Sequence, residues 1–216
     1  MKKTVFVVGA GKGLGTAAGR KFGENNFRVV LMARNEESLK AYAKEYEEKG
    51  IEVYTKKADA ADDAVLKAAL QEAVDEYGTP DVLIYNVGIT GPDSEEPSID
   101  TALLRDRYQV DVVGAYNALK VIATDDFAKK QGAILITGGG LAMYPSAEYL
   151  PLSMDKAALR AMVQALHPVM AEKGIFLGVL TVCNVIALGS TCAPEILAEK
   201  YWQQYTERED WEVVCQ

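Results

Sequence analysis

The chain has 216 residues, 49% of them hydrophobic and 25% charged, with a formal net charge of -8. That acidic balance argues against a nucleic-acid surface, which carries a basic stripe, and no apolar run reaches the roughly 20 residues needed to cross a bilayer. The length suits one domain with a substantial core.

The first stretch organises the rest. Thr4-Val5-Phe6-Val7-Val8 is a short apolar run rich in β-branched residues, the pattern of a strand buried on both faces. Gly9-Ala10-Gly11-Lys12-Gly13-Leu14-Gly15 follows it. These glycines permit a tight turn and keep side chains from separating a phosphate from the backbone. A helix is expected over residues 16–22, and the N–H groups and dipole at its start favour an anion. Strand, loop and helix read together as a cradle for a nucleotide diphosphate. Met1-Lys2-Lys3 ahead of the strand resembles the start of a signal peptide, but Lys12 interrupts the apolar stretch too early.

Further strands are expected at 27–33, 51–57, 81–86, 132–137 and 175–182, with a last one at 211–215. Helices are expected at 36–49, 62–77, 101–130, 151–173 and 194–205. Asp62 or Asp63 can cap the second of these, and Pro151 suits the first turn of the fourth. Strands alternating with helices imply βαβ units with right-handed crossovers, hence a parallel sheet covered on both faces. The expected architecture is a doubly wound, Rossmann-like α/β fold in a single domain over residues 1–216. Its ligand crevice lies at the carboxyl ends of the strands, with the substrate loops near the C-terminus.

In such folds an acidic residue at the end of the second strand binds the adenosine ribose of NAD. Here that place holds Ala33, followed by Arg34. A guanidinium there suits a 2′-phosphate, and Lys12 adds a second cation. NADP is therefore expected in preference to NAD. The three cysteines, Cys183, Cys192 and Cys215, form no C-x-x-C pair, and His167 is the only histidine. No metal site can be assembled on familiar spacing. Reduced thiols in a cytoplasmic protein are expected.

Gly9-x-x-x-Gly13-x-Gly15, Ala33-Arg34, Asp59, Asn86-Val87-Gly88 and Lys156-Ala157-Ala158-Leu159 stand in an order and spacing that resembles the short-chain dehydrogenases/reductases. The resemblance implies hydride transfer between a nicotinamide and a small alcohol or carbonyl substrate, and a homodimer or homotetramer built on the long helices. It implies that Asp59 contacts the adenine amino group and that Asn86, Val87 and Gly88 line the floor beneath the cofactor. It also implies that Lys156 binds the nicotinamide ribose.

The same resemblance exposes departures. The family's tyrosine, four residues before the lysine, is Leu152 here; its serine is Gly139; its asparagine, in the preceding long helix, is Asp111. The last change is mild, because that asparagine acts largely through its main-chain carbonyl. The first two remove the usual proton donor and a hydrogen-bond donor to the substrate oxygen. Tyr149 is a candidate replacement acid, with an aromatic wall over the substrate pocket as its plainer role. Tyr144 lies in the same loop, while Ser153 and Asp155 are expected on other faces of the helix. Backbone N–H groups of Gly138 to Gly140 are candidate oxyanion donors.

Tyr116 and Lys120 also match Y-x-x-x-K, on the wrong side of the fifth strand, and read as surface or subunit-contact residues. His167 reads as structural. The usual Pro-Gly after the sixth strand is replaced by Cys183-Asn184-Val185-Ile186, so the loop over residues 184–193 is expected to cover the nicotinamide differently. Cys183 and Cys192 read as small apolar residues near the cleft. Two functions fit these residues: an NADP-dependent oxidoreductase with an atypical proton donor, and a catalytically silent NADP-binding sensor or partner-binding protein.

Overall fold

The computed structural model describes residues 2–90 and 100–216. Pro92 and Pro97, in the stretch from which the sequence predicts a polar loop before the long helix at 101, lie outside them. Seven strands form one parallel sheet: β1 (Thr4–Val8), β2 (Arg28–Ala33), β3 (Val53–Lys57), β4 (Val82–Tyr85), β5 (Ala133–Gly139), β6 (Phe176–Val182) and β7 (Glu212–Cys215). Their order is β3-β2-β1-β4-β5-β6-β7. Chain direction across the sheet reverses between β1 and β4, which opens a crevice at their carboxyl ends.

Alternate residues of each strand face opposite layers. Phe6 and Val8 belong to the apolar core under α3 (Asp63–Tyr77), α5 (Gly114–Ile122) and α7 (Leu150–Glu172). Val5 and Val7 belong to the core under α1 (Leu14–Glu24), α2 (Glu36–Glu47) and α8 (Pro194–Glu207). All four side chains are buried, as a run with no polar interruption requires. Among the described residues no helix is long and apolar enough to cross a membrane.

The expected helix over 101–130 is broken. It divides into α4 (Thr101–Tyr108), a π-helical turn (Gln109–Val113), α5 and a short α6 (Asp125–Lys129). The break between α5 and α6 is local in origin: Thr124 turns extended, and its hydroxyl accepts the Phe127 amide at 3.3 Å as an N-cap. The π turn depends on tertiary contact. The buried Tyr85 hydroxyl donates to the Val110 carbonyl at 2.5 Å. It occupies the space that a side chain at Gly114 would fill. A single-turn π bulge of this kind is a frequent feature of functional sites.

Candidate active site

Two glycines of the loop, Gly9 and Gly15, are packed against backbone with no spare room. Gly9 has φ of 86°, and a Cβ there would lie 2.7 Å from the carbonyl carbon of Asn86 and the nitrogen of Val87. A Cβ on Gly15 would collide with the Gly9 carbonyl oxygen. Gly13, at φ of 120°, opens α1 without any side-chain cap, and the first turn carries no acidic residue. By contrast Asn35, Asp62 and Asp100 cap the helices that follow them. The amino end of α1 is therefore left to receive an anion. Leu14, expected to help hold the cofactor, is the first residue of this helix and is buried.

Arg34 and Lys12 are exposed at the same end of the crevice. Asp59 sits just beyond β3 and accepts the Ala61 amide at 3.0 Å.

Beneath the loop runs a chain of hydrogen bonds that sequence reading missed. The Asn86 side chain donates to the Gly9 carbonyl at 3.0 Å and accepts from the Thr137 hydroxyl at 2.8 Å. Having given its proton to Asn86, Thr137 must accept the short contact from the Tyr201 hydroxyl. Burial pushes the Tyr201 phenol far above its ordinary range, which keeps it protonated for that role. Elements 115 residues apart in sequence thus meet under one loop. No local pattern signals it.

Lys156 projects from α7 into the crevice, 5% exposed. Its ammonium donates to the Thr137 carbonyl at 3.2 Å and lies 3.7 Å from Asp111 Oδ2. Gly88 lies against this pair: a Cβ there would stand 3.3 Å from Lys156 Nζ and 3.5 Å from Asp111 Oδ2. The π turn holds Asp111 fully buried, where Oδ1 accepts the Ile89 amide at 3.3 Å. Burial raises the Asp111 carboxyl above its ordinary range, against the opposing pull of Lys156, the Ile89 amide and Arg107. The aspartate side chain is thus an ion-pair partner of Lys156, a larger part than its near-isosteric replacement of asparagine suggests.

Leu152 is buried one turn before Lys156. Gly139 lies along the aliphatic stem of Lys156, 3.3 Å from Cγ when a Cβ is placed on it. Gly138 and Gly139 are inside β5, in register with Thr181 and Val182. Tyr149 is half-buried at the start of α7; its carbonyl accepts from the Ser153 amide and hydroxyl, each at 2.8 Å. His167 bonds the Leu177 carbonyl at 2.8 Å, away from the site. Cys192 and Cys215 are buried against each other, with sulfurs 2.9 Å apart, and are free thiols.

An uncapped helix start, glycines at 9 and 15 pressed against backbone and a buried lysine thus meet at the switch point. The family follows from comparison. The model for the short chain dehydrogenase family matches residues 3–194, and the chain belongs to that family of oxidoreductases. It is 28% identical over 178 residues to a diacetyl reductase [(S)-acetoin forming] of Staphylococcus epidermidis, covering 81% of this chain and 68% of that one. It is 30% identical over 184 residues to the granaticin polyketide synthase putative ketoacyl reductase 1 of Streptomyces violaceoruber, covering 81% and 64%.

Among solved structures, a metagenomic short-chain oxidoreductase in complex with NADP superposes with a TM-score of 0.86 at 22% identity, over 98% of this chain and 96% of that one. An alcohol dehydrogenase from Thermococcus sibiricus complexed with 5-hydroxy-NADP gives 0.84 at 20%, over 98% and 95%. At these identities the structural likeness speaks for the fold.

Proposed function

We propose that the chain is an NADP-dependent oxidoreductase acting on a small carbonyl or alcohol, with a proton donor other than the family's tyrosine. The observation that supports this reading is the buried Lys156 beside an uncapped, glycine-lined start of α1, with Leu152 and Gly139 at the places where the resemblance puts the family's tyrosine and serine. The glycine loop from Gly9 to Gly15 would hold the diphosphate, with Gly11 open to solvent and free of neighbours within 4 Å. Arg34 and Lys12 would take the 2′-phosphate, Asp59 the adenine, and Lys156 the nicotinamide ribose. Asn86, Val87 and Gly88 would form the floor. When bound, the cofactor supplies or accepts the hydride.

The substrate side of the crevice favours an uncharged molecule. The loop over residues 184–193 contains no charged residue, and it exposes Val185 and Leu188, as the preceding loop exposes Tyr144. A small dicarbonyl, as in the name of the staphylococcal relative, fits that lining. The groove between α4 and α7, where Leu104, Tyr108, Val113 and Met154 come together, supports assembly as a homodimer or homotetramer.

The test is calorimetric titration with NADPH and NADH, followed by NADPH absorbance over a carbonyl panel that includes diacetyl. Preference for NADPH and substrate-dependent oxidation are the expected results. Binding without oxidation would instead support the silent sensor, the reading favoured by a buried Leu152. Absence of any nucleotide binding would sink both. Arg34→Glu tests the cofactor choice directly. A charge-assisted contact to phosphate is worth about 1.5–3 kcal/mol, so NADPH affinity should fall by about 10- to 100-fold while NADH affinity holds or rises. Equal loss for both nucleotides would move the 2′-phosphate away from Arg34.

A further inference from the structure

The Gly9 carbonyl carries two hydrogen bonds, from the Gly11 amide at 2.8 Å and from Asn86 Nδ2 at 3.0 Å. A carbonyl can accept and never donate, so the Asn86 amide must turn its NH2 group to Gly9. Its oxygen then faces Thr137, whose hydroxyl donates its one proton at 2.8 Å. Thr137 has nothing left to give, so the Tyr201 hydroxyl, on a side chain with no exposed surface, must donate to it. Each proton in the run is fixed from one end, and α8, β5 and the glycine loop are joined by it. Thr137 serves the lysine as well: its main-chain carbonyl accepts from Lys156 Nζ at 3.2 Å. Packing alone does not ask for a hydroxyl here. Ala133-Ile134-Leu135-Ile136 lead up to Thr137 as an unbroken apolar run, which a valine of similar shape would continue.

Resting on the cofactor reading above, we propose that Thr137 is a positioning residue for the dinucleotide. Its hydroxyl, fixed by Tyr201, holds the Asn86 amide in the one orientation that anchors the Gly9 carbonyl, and so sets the loop that meets the diphosphate. Turned over, the amide would set its oxygen against the Gly9 oxygen, acceptor against acceptor. The Asn86 main chain is already tied by its amide to the Val8 carbonyl at 2.8 Å, which leaves the side chain as the part to be oriented. Removing the hydroxyl strands the Asn86 oxygen and the Tyr201 hydroxyl, and a buried polar group without its partner costs its desolvation. The amide then gains by turning away from Gly9. The Gly9 carbonyl lies directly under the start of α1, where a Cβ on Gly15 would strike it. A shift there reaches the N–H groups that an anion would meet.

Calorimetry with NADPH, and with 2′-phospho-ADP-ribose, which keeps the diphosphate and lacks the nicotinamide, compares wild type with four variants. Thr137→Val should bind both ligands about tenfold more weakly, and Tyr201→Phe about fivefold. Thr137→Ser keeps the hydroxyl and should stay within about threefold of wild type. Thr181→Val is the control. It too removes a buried hydroxyl, one that donates to Glu212 at 2.6 Å on the neighbouring strands. It should lower the melting temperature while leaving NADPH affinity within about twofold of wild type. Amide hydrogen exchange of the nucleotide-free protein gives a reading without ligand. The amides of Gly9, Ala10 and Gly11 are hydrogen-bonded in and beside the loop, and their exchange should quicken in Thr137→Val but not in Thr181→Val.

Wild-type affinity in Thr137→Val overturns the proposal, as does an equal loss in Thr181→Val, which would reduce the effect to general stability. Thr137→Ser as weak as Thr137→Val overturns it too, since the hydroxyl would then not be the cause. Loss for NADPH with 2′-phospho-ADP-ribose unaffected would place the effect at Lys156 and overturn the route through Asn86. Should Thr137→Val fail to fold, Tyr201→Phe decides: unchanged affinity and unchanged loop exchange overturn the proposal. A wild type that binds neither ligand fails the cofactor reading itself, and the positioning role with it. That result is distinct from a wild type and a Thr137→Val that bind alike.

Discussion

Lys156→Met should lower the melting temperature by roughly 10 °C, a larger effect than its single charge suggests. Removing one partner of a buried ion pair leaves the other uncompensated and costs about 3–5 kcal/mol, and each kcal/mol moves a chain of this size by about 2–4 °C. The orphan here is Asp111, fully buried, with Lys156 at 3.7 Å as the leading opposing influence on its carboxyl. The sign of the pH dependence follows. The folded-state pKa of Asp111 is already raised, so its contribution to stability is complete below the unfolded carboxylate pKa and declines as pH rises through the folded one. Without Lys156 that folded pKa climbs further. The variant should therefore be most impaired at neutral pH and approach wild type on acidification. Thermal melts at pH 5 and pH 7.5 check this; an equal deficit at both would show that the loss is packing of the lysine stem and not charge.

The sheet and the glycine turn after β1 were legible in the sequence because their causes are local. A β-branched run followed by closely spaced glycines admits few structures, and the alternation of strands and helices then fixes a parallel sheet. Ala33-Arg34 was readable for the same reason, as a position counted from the loop. The π turn was not. It coincides with Tyr85, on β4, donating to Val110 across the space left by Gly114, and the helical pattern over 101–130 contains no trace of that contact. Asp155 was set aside because helical spacing separates it from the Lys156 face. The structure nonetheless leaves it 2% exposed. Thr137 and Tyr201 were invisible for a third reason: their contacts with Asn86 join a strand, a loop and a helix far apart in the chain.

Gly15→Ala should all but abolish nucleotide binding, and the cause is backbone crowding rather than a lost contact. The new Cβ would collide with the Gly9 carbonyl oxygen and stand 3.0 Å from Asn86 Nδ2 and 3.1 Å from the Ala10 Cα. None of these can yield cheaply. Gly9 is itself pressed against the Asn86 and Val87 backbone, and its carbonyl is the acceptor for Asn86. Relief requires the start of α1 to lift away from the strands, which breaks the Asn86–Gly9 bond and loosens Asn86 from Thr137. Overpacking of this kind costs about 1–3 kcal/mol. The displaced N–H groups at the start of α1 are those an anion would meet. NADPH affinity should fall by at least about 100-fold, about 2.8 kcal/mol, with a melting temperature several degrees lower. Gly11→Ala separates the two effects. A Cβ there meets nothing within 4 Å, so the melting temperature should hold while affinity drops if the bound diphosphate lies over the loop. Paired calorimetry and thermal melts of the two variants decide: unchanged NADPH affinity in Gly15→Ala would place the nucleotide elsewhere, whatever happened to stability.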